Sequence, residues 1–325
     1  MSETHPFVLT GPSGPLHGLV DLPAPPGPRP AVIICHGFKG FMEWGFFPHL
    51  ATLLAERGMI VVRFNLWGSG MRPGEDRVSD LAAFRADTHG REIADLLAIL
   101  EAAADGRLAP GRVDPSRLGL LGHSRGGGAA IVAAARPEWR ERVRALVTWA
   151  AVATFDRYTQ DQKAAWRRDG FLPVVNSRTG QELQMGLELL EDLEGNAGAL
   201  DVERAAGRVA APWLIVHGEE DETVPADDAR RLERAAREPD RGPAAATTEL
   251  LLVPGASHTF GARHPFAGPT PQLIQAMNAT QRWLRRHLAA FRADTHGREI
   301  ADLLAILEAA ADGRLAPGRV DPSRL

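Results

Sequence analysis

The sequence contains a serine, an aspartate and a histidine whose types and positions could support nucleophilic catalysis. Ser124 stands in the pattern Gly-His-Ser-Arg-Gly over residues 122–126, between an apolar run and a stretch of small residues. In a Gly-x-Ser-x-Gly pattern the glycines allow a helix to start close to the end of a strand, and the tight turn raises the serine hydroxyl above the sheet. The pattern therefore predicts a nucleophile elbow at Ser124.

A serine hydroxyl is a poor nucleophile unless a general base removes its proton, and an acid must orient that base. Asp221 is the candidate acid because it lies just past the end of the strand predicted at 213–218. Open α/β sheets place their sites at this edge. His258 is the candidate base, because it follows a second apolar run that ends at Val253.

Each candidate also has a simpler interpretation. Ser124 could be the N-cap of a helix, a position that favours serine for backbone reasons. Asp221 could be a turn carboxylate, with the two glutamates before it as rivals. His258 could be a surface loop residue, with His264 as the competing base.

Three further histidines lie beside glycines of these motifs: His36, His123 and His217. We expect them to pack or form hydrogen bonds around the site rather than to act in it. They do not form a set with metal-ligand spacing, and the sequence has no His-Glu-x-x-His pattern. The glycines at 126–128 are better explained by close helix packing than by a phosphate loop. We therefore expect no metal and no cofactor.

The elements that must position these residues follow from apolar periodicity. Strands are predicted at 7–10, 16–22, 31–37, 59–64, 118–122, 145–151, 213–218 and 249–253, and helices at 49–57, 80–105, 125–136, 226–237 and 271–288. A Gly-rich loop is expected at 65–78. Strands that alternate with helices predict an α/β fold with a mostly parallel, twisted sheet flanked by helices. From 154 to about 206 the alternation breaks, which predicts a small helical cap inserted over the sheet.

The composition excludes several classes of protein. The chain has 325 residues, 44% of them hydrophobic, and a formal net charge of −4, so it lacks the basic footprint of a nucleic-acid-binding protein. No apolar run reaches the ~20 residues that a membrane helix needs. The N-terminus lacks the features of a secretory signal, and the single Cys35 fits a reducing compartment. We expect a soluble cytoplasmic protein with neither a nucleic-acid nor a membrane partner.

The C-terminus contains a copy of an internal segment. Residues 288–325 are identical to residues 81–118, a helix and loop that precede the strand leading to Ser124. A structural repeat array needs at least three copies, which have normally diverged, so one identical copy does not predict an array. We expect a main domain over 1–288 and a helical appendage over 289–325. The appendage could dock loosely or pair with another chain, which leaves a homo-oligomer open.

Five stretches of the chain resemble the α/β-hydrolase superfamily, in particular its dienelactone-hydrolase-like and prolyl-oligopeptidase-like serine esterases: 36–40, 63–70, 122–126, 217–225 and 255–258. The resemblance covers about residues 15–288. It implies the α/β-hydrolase fold and a triad in the chain order Ser124, Asp221, His258. It also implies that the backbone N–H groups of Phe38 and Arg125 form an oxyanion hole. Strict dienelactone hydrolases carry cysteine at the elbow, so that substrate is not implied.

The resulting hypothesis is a serine hydrolase that cleaves small-molecule carboxylic esters through an acyl-enzyme, without a cofactor. A peptidase or an acyltransferase would use the same residues. A catalytically silent binding protein on this scaffold is a third alternative. Five aromatic residues beside the predicted oxyanion turn could line an acyl pocket or belong to the core: Phe38, Phe41, Trp44, Phe46 and Phe47.

Overall fold

A computed structural model describes residues 2–237 and 247–289. The predicted appendage, apart from Ala289, and the copied segment after that residue lie outside the described residues. In the described part the main sheet contains eight strands: β1 (Glu3–Thr10), β2 (Pro15–Leu22), β3 (Arg29–Cys35), β4 (Ile60–Phe64), β5 (Val113–His123), β6 (Val143–Trp149), β9 (Trp213–Gly218) and β10 (Thr248–Val253).

The strand order is β1-β2-β4-β3-β5-β6-β9-β10. Strands β1, β2 and β4 pair antiparallel, and every pair from β4 to β10 is parallel. Parallel strands buried on both faces are expected to be continuously apolar, as residues 31–35 of β3 are. The predicted mostly parallel α/β sheet is therefore confirmed.

The helices between the strands are α1 (Phe47–Glu56), α2 (Leu81–Arg85), α3 (His89–Ala104), α4 (Arg125–Ala134), α8 (Ala226–Ala236) and α9 (Pro271–His287). Successive side chains of β3 enter different cores, as expected when a strand alternates its faces. Val32 and Ile34 belong to the apolar cluster that contains residues of α1 and α9, whereas Ile33 belongs to the cluster that contains residues of α3, α4 and α8. Helices thus cover both faces of the sheet. No helix in the described part is long and apolar enough to cross a membrane.

The long helix predicted at 80–105 is two helices, α2 and α3. The break lies at Asp87 and Thr88, where the Thr88 side chain accepts a hydrogen bond from the Arg91 amide and caps α3. The Asp87 side chain is turned inward and bonds the guanidinium of Arg125. A tertiary contact has therefore overridden helix continuity. The loop predicted at 65–78 is present and contains a short 3-10 turn, Trp67–Ser69.

The inserted cap is not entirely helical. It contains α5 (Gln160–Asp169), α6 (Leu187–Gly195) and α7 (Val202–Ala206), together with an antiparallel hairpin of β7 (Phe171–Asn176) and β8 (Gln181–Gly186). The cap was predicted to be helical, and that prediction was wrong for residues 171–186, which form the hairpin. Pro173 lies inside β7, and proline in a run weakens a strand assignment, although two-stranded edges tolerate it. The strand β8 is only six residues long, so its alternation of buried and exposed residues is a weak signal.

Candidate active site

Ser124 occupies a sharp turn between β5 and α4. Its backbone has φ 57° and ψ −124°, a strained conformation for a residue with a side chain. The amide of Ser124 donates to the carbonyl of Trp149 on the neighbouring strand β6, at 2.9 Å. The strain and this anchor fix the hydroxyl at the carboxyl edge of the sheet, as the elbow motif predicts.

Two glycines let the surrounding chain come close to the serine. A Cβ added to Gly37 would lie 2.8 Å from the Cβ of Ser124, and one added to Gly126 would lie 2.7 Å from the carbonyl oxygen of Cys35. Real Cβ atoms do not make contacts this short, so any side chain here would push the two turns apart. The turn after β3 and the start of α4 therefore meet at the nucleophile.

The predicted serine, histidine and aspartate form one hydrogen-bonded chain. The Nε2 atom of His258 lies 3.0 Å from the Oγ atom of Ser124, and its Nδ1 atom lies 2.8 Å from Oδ2 of Asp221. An ionised carboxylate can only accept, so Nδ1 carries the proton and Nε2 is free to accept the serine proton. The rival His264 lies in the wall of the cleft beside Ser124, but its Nδ1 accepts from the amide of Gly45, at 3.0 Å.

Asp221 is held in the turn between β9 and α8. Its Oδ1 atom accepts from the amides of Thr223 and Val224, each at 2.9 Å, and its Oδ2 atom also lies 3.3 Å from Nε2 of His217. Burial alone would raise the pKa of Asp221, but the hydrogen bonds from His217, His258 and the Val224 amide outweigh it and keep the pKa well below its ordinary value. The carboxylate is therefore ionised. The two glutamates before it are exposed.

The other motif histidines brace the loops around the site, as predicted. His36 donates from Nδ1 to the carbonyl of Gly37, at 2.9 Å, and its Nε2 accepts from the amide of Leu66, at 3.2 Å. Burial lowers the pKa of His36 to about 4, so the ring is neutral at physiological pH. It ties the turn after β3 to the loop after β4.

His123 and His217 brace the other side. The Nε2 atom of His123 donates to the carbonyl of His258, at 3.1 Å, and burial lowers the pKa of His123 to about 3. The Nε2 atom of His217 lies 2.8 Å from the carbonyl of Val224, in the loop that carries Asp221. A histidine side chain thus supports the loop that bears His258 and another supports the loop that bears Asp221.

The candidate oxyanion donors flank the serine in the chain and in space. Phe38 directly follows Gly37, which contacts Ser124, and Arg125 is the first residue of α4. Neither amide N–H meets an acceptor within residues 2–237 and 247–289. The first N–H groups of a helix carry partial positive charge. Both amides are therefore available to a negatively charged oxygen at Ser124.

The side chain of Arg125 has a role that the sequence analysis missed. Its Nη2 atom lies 3.0 Å from Oδ2 of Asp87 and 2.6 Å from Oε1 of Glu92, and all three side chains are almost fully buried. Burial opposes ionisation of Glu92, but the charges of Arg125 and His89 prevail and lower the pKa of Glu92 to about 2. A signal was present, since Glu92 falls in the apolar stripe of α3 and such a carboxylate needs a buried partner.

A cleft of ≈ 760 Å³ opens beside Ser124. Its walls are the turn 37–40, Trp44, Phe47, His123, the cap hairpin turn 176–178, Thr223, and the loop residues 258, 259 and 262–264. Of the five aromatic residues that could have formed an acyl pocket, Phe38, Trp44 and Phe47 line the cleft. Phe41 and Phe46 are buried. No group of three or more His, Cys, Asp or Glu side chains in the described part could hold a metal ion.

The sheet order, the elbow and the inserted cap define the α/β-hydrolase fold. The esterase Est1E of Butyrivibrio proteoclasticus, solved with ferulic acid, aligns with a TM-score of 0.65 at 20% identity, over 87% of this chain and 100% of that one. The acylaminoacyl peptidase of Pyrococcus horikoshii aligns with a TM-score of 0.63 at 19% identity, over 90% of this chain and 42% of that one. These likenesses establish the fold.

The sequence profile of the prolyl oligopeptidase family matches residues 44–291, and the chain belongs to this family of hydrolases. It is 26% identical over 223 residues to the 2,6-dihydropseudooxynicotine hydrolase of Paenarthrobacter nicotinovorans, over 68% of this chain and 52% of that protein. It is 26% identical over 259 residues to the uncharacterized peptidase YuxL of Bacillus subtilis, over 80% of this chain and 35% of that protein. The chain thus spans about half of the first relative and a third of the second.

Proposed function

We propose that this protein is a serine hydrolase that cleaves small-molecule carboxylic esters through an acyl-enzyme on Ser124. The observation that carries the proposal is the continuous chain from Oδ2 of Asp221 through the imidazole of His258 to Oγ of Ser124, with distances of 2.8 and 3.0 Å. Both distances lie within the range for proton transfer between a nucleophile and its base.

In the first half of the reaction, Oγ of Ser124 attacks the ester carbonyl carbon while Nε2 of His258 takes the hydroxyl proton. Asp221 stabilises the imidazolium that forms. The carbonyl oxygen becomes negatively charged and accepts hydrogen bonds from the amides of Phe38 and Arg125. The tetrahedral intermediate collapses, the C–O bond breaks, and His258 returns its proton to the departing alcohol. The acyl group stays on Ser124.

In the second half, water enters the position that the alcohol has left. His258 takes a proton from the water, whose oxygen attacks the acyl carbonyl, and the same two amides bind the oxyanion. Collapse of this intermediate releases the acid and returns the proton to Ser124. These steps need no cofactor. Ser124 supplies the nucleophile and His258 supplies the base. Asp221 stabilises the imidazolium, and the two backbone amides stabilise the oxyanion.

A peptidase is the second candidate, because the family profile and the relative YuxL point to peptide-bond cleavage. The cleft disfavours an aminopeptidase. Enzymes that bind the free N-terminus of a peptide need an anion for its ammonium group, and the described cleft lining includes neither aspartate nor glutamate. An acyltransferase would follow the same first half and differ only in the acceptor. The cytoplasmic location stays a prediction that rests on the composition.

The proposal is tested by labelling with a fluorophosphonate and by turnover of 4-nitrophenyl esters of increasing acyl length, each compared with the matching 4-nitroanilide. We expect labelling at Ser124 and faster cleavage of the esters. Ser124→Ala should lose labelling and roughly 10⁶-fold in kcat. Ser177→Ala, a serine in the wall of the same cleft, is the matched control and should keep both.

Folded protein that takes no label and cleaves no ester would support a silent binding protein instead. Faster cleavage of the anilides would support the peptidase. Transfer of the acyl group to added amines or alcohols, in preference to water, would support the acyltransferase.

A further inference from the structure

We propose that the cleft beside Ser124 selects esters that carry a free carboxylate, which Lys39, Arg178 and Arg263 bind. This inference rests on the proposed function, since it names the class of substrate for that same site. All three cations line the cleft together with Ser124 and His258.

The three cations come from three separate segments of the fold. Lys39 lies in the turn after β3, next to the candidate oxyanion donor Phe38. Arg178 lies in the turn of the cap hairpin, between β7 and β8, and Arg263 lies five residues after His258. The three charges are therefore not neighbours along one surface helix. Folding brings them to one cavity.

None of the three is neutralised by a close carboxylate in the described part of the chain. The Nζ atom of Lys39 donates to the carbonyl of Val175, at 3.1 Å. The Nη1 atom of Arg178 lies 4.0 Å from Asp76, whose side chain is 68% exposed, and its buried Nη2 atom has no hydrogen-bond partner. The exposed Arg263 forms neither a hydrogen bond nor an ion pair with any described residue.

The rest of the cleft does not offset this charge. Its lining includes no aspartate and no glutamate within the described residues. The nearest acid of the site, Asp221, is fully buried behind His258 and committed to it. At the rim, Asp76 and Glu43 are the carboxylates that face His264, and Glu43 accepts from the amide of Gly74. Three cations inside the cleft therefore face two acids at its edge.

Two of the cations, Lys39 and Arg178, are partly removed from water, and the exposed Asp76 near Arg178 compensates only part of that loss. Burial lowers the pKa of Lys39 and of Arg178, which means that the charged forms are held at a cost. A bound carboxylate would relieve that cost. The guanidinium of Arg178 is also close to the Phe41 ring, 5.3 Å from its centroid, and a positioned guanidinium can bind a carboxylate through two parallel hydrogen bonds.

The test compares two substrates that differ in one charge: 4-nitrophenyl hydrogen adipate and its methyl ester. The chain between the two carbonyl groups is long enough to slow attack by the free carboxylate on its own ester. The readout is the ratio of kcat/KM for the acid to kcat/KM for the methyl ester. At low salt we expect the ratio to be about ten or more, the value of one good charge-assisted hydrogen bond.

Arg178→Gln and Lys39→Gln should each lower this ratio about tenfold. Arg140→Gln is the matched control, because Arg140 is exposed and lies beyond the far end of α4, at the opposite edge of the sheet from Ser124. It removes the same charge and should leave the ratio unchanged. Using a ratio cancels any general loss of active enzyme in a variant.

A ratio of one or below in the unsubstituted protein, with the methyl ester still cleaved, would overturn the selectivity and leave the proposed function intact. A high ratio that both cleft variants retain would overturn the assignment to these residues. Cleavage of neither ester, without labelling of Ser124, would overturn the proposed function and this inference with it.

Discussion

The guanidinium of Arg125 lies over the ring of Phe38, 4.3 Å from its centroid. The two residues whose amides are the candidate oxyanion donors are therefore in contact through their side chains. On its other side the guanidinium bonds Asp87 and Glu92, at the break before α3 and in its first turn. One buried cation thus connects the elbow, the turn after β3 and α3.

Arg125→Met should lower the free energy of unfolding by about 3–5 kcal/mol, because it leaves the buried carboxylate of Glu92 without its cation and the Asp87 carboxyl without its guanidinium partner. Urea unfolding at neutral pH measures this loss. Arg140→Met, at an exposed site, is the control. Adding Glu92→Gln to Arg125→Met should recover part of the loss, since it removes one stranded charge. An unchanged urea midpoint in Arg125→Met would show that the cluster does not stabilise the fold.

Asp221→Asn should lower kcat by about 10⁴-fold and leave the fold intact. The asparagine can donate to Nδ1 of His258 and would then stabilise the tautomer that cannot accept the serine proton. Steady-state turnover of a 4-nitrophenyl ester measures the loss, and circular dichroism checks the fold. Glu220→Gln, in the exposed neighbouring residue, is the control. Near-normal turnover in Asp221→Asn would remove Asp221 from the mechanism.

Stability should fall as the pH falls from about 6.5 to about 4, partly because of His36. Burial lowers the pKa of His36 from 6.5 to about 4, so between these values the unfolded chain binds a proton that the folded chain does not. The loss from His36 alone is about 3 kcal/mol of unfolding free energy.

Urea unfolding across this pH range should show a shallower pH dependence of stability for His36→Asn than for the unsubstituted protein. His5→Asn, in an exposed strand, should leave the dependence unchanged. Parallel curves for His36→Asn and the unsubstituted protein would contradict the assignment.

Much of the fold was predictable because its strands are buried on both faces. Runs such as 31–35 and 213–216 are continuously apolar and stand out from their surroundings. The chemistry-bearing residues could be predicted because Ser124, Asp221 and His258 each follow such a run. Parallel strands end at one edge of the sheet, so residues far apart in the chain meet there.

The parts that could not be predicted depend on contacts between distant side chains. The break at Asp87 exists because its carboxylate meets Arg125, 38 residues later in the chain. The strand β7 contains Pro173, and its partner β8 is only six residues long, so local periodicity was too weak to indicate the hairpin. That hairpin supplies Arg178 to the cleft. The sequence therefore indicated the reactive residues of the site but not the cap residue Arg178 that lines its cleft.

Gly37→Ala should lower kcat about a hundredfold. Its new Cβ would lie 2.8 Å from the Cβ of Ser124, so the turn must move and carry the Phe38 amide away from the reacting oxygen. Loss of one oxyanion donor costs roughly 10²–10³ in kcat. Gly195→Ala is the control, since an added Cβ there meets no atom within 4 Å. Ester turnover measures the loss of kcat, and the midpoint of urea unfolding measures any loss of stability. A fall in stability without a fall in kcat would show that the turn does not carry an oxyanion donor, whereas a hundredfold fall in kcat, measured where the urea curve shows folded protein, is the expected result.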